Sequence, residues 1–405
     1  MHSPIKKSKI TLKQQSATIE DCIENKLSLG DELAKLGADY DDLRYYDYKQ
    51  PKESLEESST LAPVTFESLQ DFSGNIPAVS FFAGAGGLDI GFEKAGFNVS
   101  VSVEIEKLFC DTLRHNYPEK VVIGPPAYSG DVSDHDAIAR LLEEVGHIHA
   151  PFDGVFLGGP PCQPFSIAAN QRFNKSGDNF KRKGFEDEEK GNLLFDYLWF
   201  IDRFQPAGFL IENVGGLIEL DGDGKVGKAL ARLEEKGYQI SRPRVVNATD
   251  YGVPQNRNRC IILGSRMGKL PELPAPNELP TRCKEVFDRS LEGCLNHVTR
   301  SHSAGSVERY AVLGYGARDQ RGRVDRLNPL LPSKTVIAGG TKGGGRSHLH
   351  PYFPRTLSVR ECARLQTFPD SYEFLGPVAR QFTQVGNAVP PMLAYKLALA
   401  LKNSL

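Results

Sequence analysis

No run of this sequence approaches the roughly 18 uncharged apolar residues that a membrane span needs. No apolar stretch follows the basic start MHSPIKKSKI, which argues against a signal peptide. The seven cysteines lack paired spacing and a CxxC motif, a pattern that argues against a disulfide framework and a zinc site and favours a reducing cytoplasm. We therefore expect a protein without a membrane segment or a metal.

The chain also carries little net charge, −2 over 405 residues, but the charge is unevenly distributed. Residues 1–77 are acidic, with nine Lys and Arg and fourteen Asp and Glu. Residues 266–350 are basic, with fourteen Lys and Arg, eight Asp and Glu, and four histidines. Because the local field rather than the total charge attracts phosphate, the later segment is the predicted basic face.

The first 75 residues are polar and differ in texture from the rest. Their pattern predicts a short helix at Thr18–Leu36, an acidic, tyrosine-rich patch at Asp39–Tyr48 and a Ser/Glu-rich linker at Glu53–Thr60. We expect this extension to be partly disordered and assign it no role.

The remainder divides into three segments. Residues 76–265 alternate short apolar runs with helical patterns, which predicts an α/β fold of βαβ units around a parallel sheet. Residues 266–350 are rich in Gly, Pro, Arg and His and are too long for a loop, so they predict a small second domain. Residues 351–405 again show a regular apolar pattern and end in an apolar helix, and we expect them to form the C-terminal part of the same core as residues 76–265.

A glycine-rich turn from Phe82 to Leu88 joins the apolar strand Val79–Phe82 to a helix at Leu88–Ala95. Glycine lets the backbone approach a ligand and a helix N-terminus presents free N–H groups, although many such turns only join two elements. The next apolar run ends in Glu104, and a carboxylate there typically binds ribose hydroxyls. Since no Walker lysine is present, the two features indicate a nucleoside rather than a phosphate site.

Three prolines surround one cysteine in the segment GGPPCQPFS, which follows the strand Gly154–Leu157. Proline fixes φ, so this loop holds the thiol of Cys162 at a set position. A lone buried cysteine is usually inert core, but the carboxyl end of a strand is where open α/β sheets bind ligands. The motif therefore favours a reactive thiol.

Two further motifs place charge at strand ends. Glu212 ends the buried strand FLIEN, where it is either solvated or placed beside a ligand for proton transfer. In QNRNR, an extended backbone puts Gln255, Arg257 and Arg259 on one face, suited to an anionic ligand unless the strand is a solvated edge. Because the ends of parallel strands share one edge of a sheet, all these groups are predicted to converge on one cleft.

In this order the motifs resemble the DNA (cytosine-5) methyltransferase family, from about Val79 to the C-terminus. FFAGAGGLDIGFEKAGF resembles the first motif of the family, GGPPCQPFS its catalytic loop, ENV its glutamate motif and QNRNR its QxRxR element. RTLSVRECARLQTFPD and QVGNAVPP resemble its ninth and tenth motifs. The resemblance implies a Rossmann-like S-adenosylmethionine-dependent methyltransferase core with a smaller target-recognition domain at residues 266–350. It says nothing about residues 1–75.

The resemblance also implies a mechanism. The target cytosine leaves the duplex stack, the thiolate of Cys162 attacks C6, and Glu212 hydrogen-bonds or protonates N3, so that C5 becomes nucleophilic. A base later removes the C5 proton and the cysteine leaves. Arg259 contacts the cytosine O2, while Arg257 and Gln255 support the loop.

The implied cofactor is S-adenosylmethionine, which leaves as S-adenosylhomocysteine, and no metal is implied. Glu104 binds the ribose, Asp131 and Val132 lie beside the adenine, and the C-terminal helix packs back on the first strands. The implied cofactor residues are Phe82, Ala83, Gly84, Gly86, Gly87, Leu88, Glu104, Ile105, Asp131, Val132, Pro160, Leu193, Asn387, Ala388 and Val389.

The implied partner is double-stranded DNA, bound by a monomer in the bacterial cytoplasm, associated with the nucleoid, with a restriction endonuclease of the same site as its counterpart. Arg318, Arg321, Arg323, Arg326 and the loop Gly339–Arg346 are candidates for reading base edges, although any single arginine is expected to contact a phosphate. Two alternatives stay open: a cytosine-5 methyltransferase of RNA, such as the transfer-RNA branch, and a catalytically silent DNA-binding homologue.

Overall fold

The described strands and helices alternate from Ile76 to Ile240 in the computed structural model, which describes residues 6–47, 65–161, 193–215, 224–277, 279–338 and 348–405. The strands are β1 (Ile76–Phe81), β2 (Phe97–Val103), β3 (Val121–Ile123), β4 (Val155–Gly158), β5 (Gly208–Val214), β6 (Gln239–Ile240), β7 (Arg244–Asn247), β8 (Asn258–Ser265), β9 (Arg318–Asp319) and β10 (Val324–Asp325). The helices are α1 (Leu12–Glu24), α2 (Leu29–Lys35), α3 (Gly87–Lys94), α4 (Lys107–Asn116), α5 (His135–Glu144), α6 (Leu193–Phe204), α7 (Lys225–Glu235), α8 (Lys284–Phe287), α9 (Ala304–Ala311), α10 (Val359–Leu365), α11 (Val378–Asn387) and α12 (Pro391–Lys402). Short 3₁₀ helices lie at Tyr40–Asp42 and Ala248–Tyr251.

Strands β1 to β8 form one eight-stranded sheet in this part of the chain. Its order is β3-β2-β1-β4-β5-β8-β6, with β7 also paired to β8, and β1 to β5 run parallel to one another. The predicted α/β class with its βαβ units is confirmed. The short strand β3 was not among the predicted apolar runs.

The prediction of a wholly parallel sheet is wrong at β8, which runs antiparallel to β5. In this register Arg259, near the start of β8, stands opposite Val214, at the end of β5. The start of an antiparallel strand lies at the edge where its parallel neighbours end. The predicted convergence of QNRNR with the strand ends therefore holds for Arg259 because β8 is reversed.

The core of the sheet is aromatic at β1. The Phe81 ring lies with its centroid 5.1 Å from that of Phe156, 5.2 Å from Tyr197 and 5.1 Å from Phe200, and its side chain is fully buried. Burying a side chain of this size contributes about 1.5–3 kcal/mol. This packing holds β1, β4 and α6 together directly beneath the glycine-rich turn.

Helix α12 packs against α3, which follows β1. A methyl group on Gly91 of α3 would lie 2.5 Å from the Cβ of Ala394 and 2.5 Å from the carbonyl oxygen of Pro391. Only glycine permits this approach, so the two helices meet backbone to backbone. Within the described ranges no helix is long and apolar enough to cross a membrane.

The described chain forms two compact units. The sheet unit consists of residues 69–251, 257–278 and 388–405, and the helical unit of the described parts of residues 1–68, 252–256 and 279–387. The helical unit thus contains the N-terminal segment as well as most of the predicted second domain. It also contains α10 and α11, which the sequence had grouped with the core.

Within the N-terminal extension, the N-terminal segment of residues 6–47 is folded. The single helix predicted at Thr18–Leu36 is replaced by α1 and α2. Thr11 and Gln14 form a capping box that begins α1, and the Ser28 side chain accepts the Asp31 N–H to begin α2, which explains the break. The predicted linker, Glu53–Thr60, lies outside the described residues.

This segment shares a hydrophobic core with α9. Ile19 of α1 and Leu33 of α2 are buried in one cluster with Ala304 and Val307 of α9. Helices α1 and α2 of the N-terminal segment and helix α9, from residues 266–350, thus share one hydrophobic core inside the helical unit.

Candidate active site

The glycine-rich turn after β1 is built on left-handed backbone. Phe82, Gly84 and Gly86 have φ of 53°, 58° and 73°. A non-glycine residue rarely adopts this region, so Phe82 carries backbone strain of the kind found at ligand sites. A methyl group on Gly87 would lie 2.1 Å from the carbonyl oxygen of Val389. The turn is thereby packed against the residues that lead into α12.

Glu104 joins the end of β2 to this turn. Its Oε2 accepts the Gly84 N–H at 2.7 Å and its Oε1 accepts the Glu106 N–H at 2.8 Å. Burial raises the pKa of Glu104, against the lowering effect of these two donors. The carboxylate is therefore held in place by backbone donors and is nearly enclosed.

The predicted adenine residues lie beside Glu104. A methyl group on Gly130 would be 2.1 Å from the Glu104 carbonyl oxygen, which places the following residue, Asp131, against the end of β2. The Asp131 Oδ1 accepts the Ser133 hydroxyl at 2.7 Å. Of the other predicted residues here, Val132 is buried in the sheet core, Leu193 starts α6 at the edge of that core, and Ile105 is 55% exposed.

The end of β4 lies against the end of β5. A methyl group on Gly159 would be 3.1 Å from Glu212 Oε2, and the Asn213 Nδ2 donates to the Pro160 carbonyl at 3.4 Å. Cys162, the predicted nucleophile, lies outside the described residues. Its two nearest described predecessors, Pro160 and Pro161, lead from this contact into the cysteine loop.

Glu212 is paired with Arg259. Arg259 Nε lies 2.6 Å from Glu212 Oε1, and the side chains are 15% and 11% exposed. The Arg259 Nη1 also donates to its neighbour's carbonyl, that of Asn258, at 2.7 Å. The pair therefore offers a carboxylate and a fixed guanidinium side by side at the edge of the sheet.

Arg257 is buried in the sheet unit rather than exposed to a ligand. Its Nη2 donates to the Ala388 carbonyl at 2.9 Å, and its backbone N–H donates to Asn247 Oδ1 at 2.9 Å. Burial and the neighbouring Arg259 lower the pKa of its guanidinium. Since the residue after Ala388 contacts the glycine-rich turn, Arg257 braces the backbone behind that turn.

Gln255 belongs to the helical unit and is fully buried there. Its Nε2 donates to Gln366 Oε1 at 2.9 Å, and its Oε1 accepts the Val336 N–H at 2.9 Å. Asn387 ends α11 in the same unit. The interpretation that an extended QNRNR presents all three side chains to a ligand does not hold for Gln255 and Arg257, which are bonded to protein atoms, whereas Arg259 stands beside Glu212. The supporting role that the resemblance implies for Gln255 and Arg257 stays a prediction.

Sequence reasoning missed four contributing residues. Asn213 bonds Pro160 and Asn247 bonds Arg257, whereas Gly124 and Gly130 pack on Glu104. The signal for Asn213 was its place in ENV beside Glu212. No group of three or more His, Cys, Asp or Glu suited to a metal ion is found in the part of the chain that the structure describes.

The four arginines proposed as base readers do not share one environment. Arg318, Arg321 and Arg323 are exposed. Arg326 is buried, with its guanidinium 3.5 Å from the Tyr45 ring centroid and 4.0 Å from that of Tyr315, so its inclusion among the base readers is wrong. The loop Gly339–Arg346 lies outside the described residues.

Comparison with known proteins bears on the same residues. A family model described as C-5 cytosine-specific DNA methylase matches residues 76–403. The type II methyltransferase M1.HphI of Haemophilus parahaemolyticus is 33% identical over 348 residues, covering 80% of this chain and 86% of that protein. The type II methyltransferase M.PspPI of Psychrobacter sp. (strain TA137) is 34% identical over 350 residues, covering 80% of this chain and 78% of that protein.

Solved structures show the same likeness. A crystal structure from E. coli, described as a DNA modification methyltransferase encoded within a prophage, has a TM-score of 0.65 at 26% identity and covers 81% of this chain and 99% of its own. The crystal structure of the Dnmt2 methyltransferase of S. pombe has a TM-score of 0.55 at 17% identity and covers 81% of this chain and 99% of its own. At this identity the likeness shows the fold alone.

Proposed function

Because this chain belongs to the C-5 cytosine-specific DNA methylase family, we propose that it transfers a methyl group from S-adenosylmethionine to C5 of a cytosine flipped out of a short, specific duplex sequence. The reaction proceeds through a covalent bond from Cys162 to the base. The observation that carries this proposal is the Glu212–Arg259 pair, which lies at the sheet edge against the loop that leads into Cys162.

The proposed role of Cys162 is supported by its neighbours in the sequence. Pro160, two residues before it, accepts a hydrogen bond from Asn213, which follows Glu212 in the chain. In the proposed complex the Cys162 thiolate attacks a base whose polar edge is held by Glu212.

Each charged group then has a task at the flipped base. The Cys162 thiolate adds to C6, and Glu212 hydrogen-bonds or protonates N3. Arg259 donates to O2 and stabilises the charge that develops along the N3–O2 edge as the addition proceeds. Arg257 and Gln255 keep the segment in place and do not touch the base.

The cofactor residues fit a nucleoside with a charged tail. The Glu104 carboxylate holds the ribose hydroxyls, and Asp131 and Val132 lie beside the adenine. The backbone of the turn from Phe82 to Leu88 encloses the methionine part, and Ile105 belongs to the same pocket. When bound, S-adenosylmethionine supplies an electrophilic methyl group to C5 and leaves as S-adenosylhomocysteine. Pro160, Leu193 and the segment Asn387–Val389 complete the proposed set.

Duplex DNA is the proposed substrate. The proposed biological role is to protect that DNA from a cognate restriction endonuclease. The relatives named above are type II methyltransferases, which is what supports a restriction–modification setting. In that setting the enzyme works as a monomer on chromosomal DNA in the bacterial cytoplasm.

The test is to incubate the protein with labelled S-adenosylmethionine and unmethylated duplex DNA, then to map 5-methylcytosine by bisulfite sequencing. Methylation within one short repeated sequence supports the proposal. Label in transfer RNA but not in DNA overturns the choice of DNA as substrate, and label in neither overturns the catalytic proposal in favour of a silent binding protein.

A further inference from the structure

Helices α5 and α6 of the sheet unit are joined near their N-terminal ends by a hydrogen bond and a ring stack. The His135 Nε2 lies 2.8 Å from Asp196 Oδ1, and its N–H donates to the carboxylate. The His135 ring also stacks on the Trp199 indole, with centroids 4.4 Å apart and 11° between the planes. Asp196 and Trp199 are three residues apart, so they lie on the same face of α6. His135, the first residue of α5, is therefore held by two side chains of one helix.

On the α5 side, His135 directly follows the loop that is predicted to lie beside the adenine. The Asp131 Oδ1 accepts the Ser133 hydroxyl at 2.7 Å, and the Asp131 carbonyl accepts the Asp134 N–H at 3.1 Å. The Asp134 side chain caps α5 by accepting the Ala137 N–H at 3.2 Å. These local bonds connect the loop rigidly to the start of the helix. A contact that fixes His135 therefore also fixes Asp131.

On the α6 side, Asp196 lies within one helical turn of Leu193, another of the predicted cofactor residues. The same helix supports the glycine-rich turn, because the Tyr197 ring meets the Phe82 ring edge to face with centroids 6.2 Å apart. Phe200 packs on β1, which leads into that turn, and its ring also meets the His135 ring edge to face. Helix α6 thus connects the glycine-rich turn with the predicted adenine loop.

A second pair joins the same two helices at their C-terminal ends, away from these predicted cofactor residues. The Arg203 Nη2 lies 2.9 Å from Glu143 Oε1, and the two side chains are 47% and 37% exposed. Such exposed pairs contribute little. The side chains of His135 and Asp196 are more shielded, at 31% and 15% exposed. The chain therefore contains its own comparison for the effect of position along these two helices.

We propose that the His135–Asp196 hydrogen bond, with Trp199 stacked on the imidazole, positions the adenine wall of the cofactor pocket relative to the glycine-rich turn. The inference rests on the proposed function, in which S-adenosylmethionine is the cofactor. His135 and Asp196 are positioning residues and do not touch the cofactor. They connect the loop of Asp131 to α6, so their loss loosens the binding of the adenosine part and leaves the groups that act on the base in place.

The first test compares steady-state kinetics of full-length variants. His135→Ala removes the donor and the stacked ring, and we expect KM for S-adenosylmethionine to rise about two- to tenfold, the effect of one lost hydrogen bond. The value of kcat at saturating cofactor and KM for DNA should be retained. His135→Gln places an amide donor near the position of the imidazole Nε2, so it should restore part of the affinity lost in His135→Ala. Arg203→Gln is the matched control and should leave both KM values unchanged.

The second test measures binding of S-adenosylhomocysteine by calorimetry. The Kd of His135→Ala should rise by the same factor as KM. The double variant that combines His135→Ala with Asp196→Ala should bind no more weakly than the weaker single variant, because both substitutions break the same hydrogen bond. Trp199 is the only tryptophan of the chain, so tryptophan emission reports on the ring stack. This emission should change in His135→Ala and remain as in the wild type in Arg203→Gln.

Four results overturn the inference. The first is an unchanged Kd and KM in His135→Ala, and the second is unchanged emission in that variant. The third is an equal rise in KM for the cofactor and for DNA, or an equal loss in Arg203→Gln, which assigns the effect to a general loosening of the two helices. The fourth is additive losses in the double variant.

The wild-type protein, assayed in parallel, separates this inference from the proposed function. A wild-type protein that neither binds S-adenosylhomocysteine nor methylates DNA defeats the proposed function itself. Normal binding and methylation by the wild type, with a His135→Ala variant that behaves in the same way, defeats only the positioning role.

Discussion

Arg259 Nε lies 2.6 Å from Glu212 Oε1, across the antiparallel pairing of β8 with β5. Both side chains are mostly shielded from solvent, so the pair is not one of the exposed ion pairs that contribute little. Its position next to the loop that leads into Cys162 makes it the centre of the proposed chemistry.

Glu212→Gln keeps the side-chain shape and removes the ionisable group. We expect kcat for methyl transfer to fall about 10²- to 10⁴-fold, the range for a lost general acid or base. Single-turnover rates with labelled S-adenosylmethionine measure this. Glu143→Gln is the control, since Glu143 forms a surface ion pair with Arg203 at 2.9 Å and is expected to leave the rate unchanged. A Glu212 variant with a near-normal rate would count against the proposed role.

Cys162→Ala is expected to abolish methyl transfer while duplex binding survives, because the thiolate forms a bond in the reaction but makes no contribution to holding the backbone of DNA. Methylation and gel-shift assays on the same preparation check both parts. Cys294→Ala, at a partly buried cysteine of the helical unit, should retain activity. Turnover by the Cys162 variant would refute the nucleophile assignment.

Gly91→Ala should destabilise the protein by about 1–3 kcal/mol, the usual cost of overpacking, because the new methyl group would collide with Ala394 and Pro391 of α12. Gly305→Ala is the matched change in α9, where a methyl group meets no described atom within 4 Å. It should be neutral or stabilise by up to about 1 kcal/mol. Urea denaturation of both variants measures the difference, and equal effects would show that the helix contact is not close.

The helical unit should lose stability as the pH falls below about 6.5. Burial lowers the pKa of His302 and His348 to about 4 and that of His350 to about 3. These groups bind protons between pH 6.5 and 4 in the unfolded chain only, so the stability present above pH 6.5 declines by about 1.4 kcal/mol per pH unit for each histidine.

Urea denaturation between pH 7.5 and 5 tests this dependence. His348→Gln should flatten the slope by the share of one histidine. His149→Gln, at an exposed position, should leave the slope as it is. A free energy of unfolding that is constant over this range would show that the three histidines are not shielded.

Local pattern was sufficient for much of the sheet. β1, β2, β4 and β5 were predicted because each is a short apolar run followed by a turn, and α3 and α12 because their apolar character continues over several turns. The direction of β8 was not predictable in the same way. A strand buried on both faces has the same composition whichever way it runs, and only its partners decide.

The fold of the N-terminal segment could not be predicted from local pattern. Its polar, acidic composition predicted partial disorder. In the structure, however, Ile19 and Leu33 are buried against α9, which lies far along the chain. Asp41 pairs with the buried Arg355, and the Tyr45 hydroxyl donates to the His350 carbonyl at 2.8 Å. Contacts between residues that are about 300 positions apart do not affect the local periodicity of the sequence, so the sequence pattern could not predict them.

The sequence by itself determined which chemical groups stand at the strand ends and in what order: the glycine-rich turn, Glu104, the cysteine loop, Glu212 and the arginines. Only the tertiary structure decided which of these groups are left accessible to a ligand and which are buried against other protein atoms. Arg259 is left beside Glu212, whereas Gln255, Arg257 and Arg326 are buried with partners from distant segments. A charged or amide side chain can be buried only where such partners satisfy its donors, and that condition depends on the whole fold.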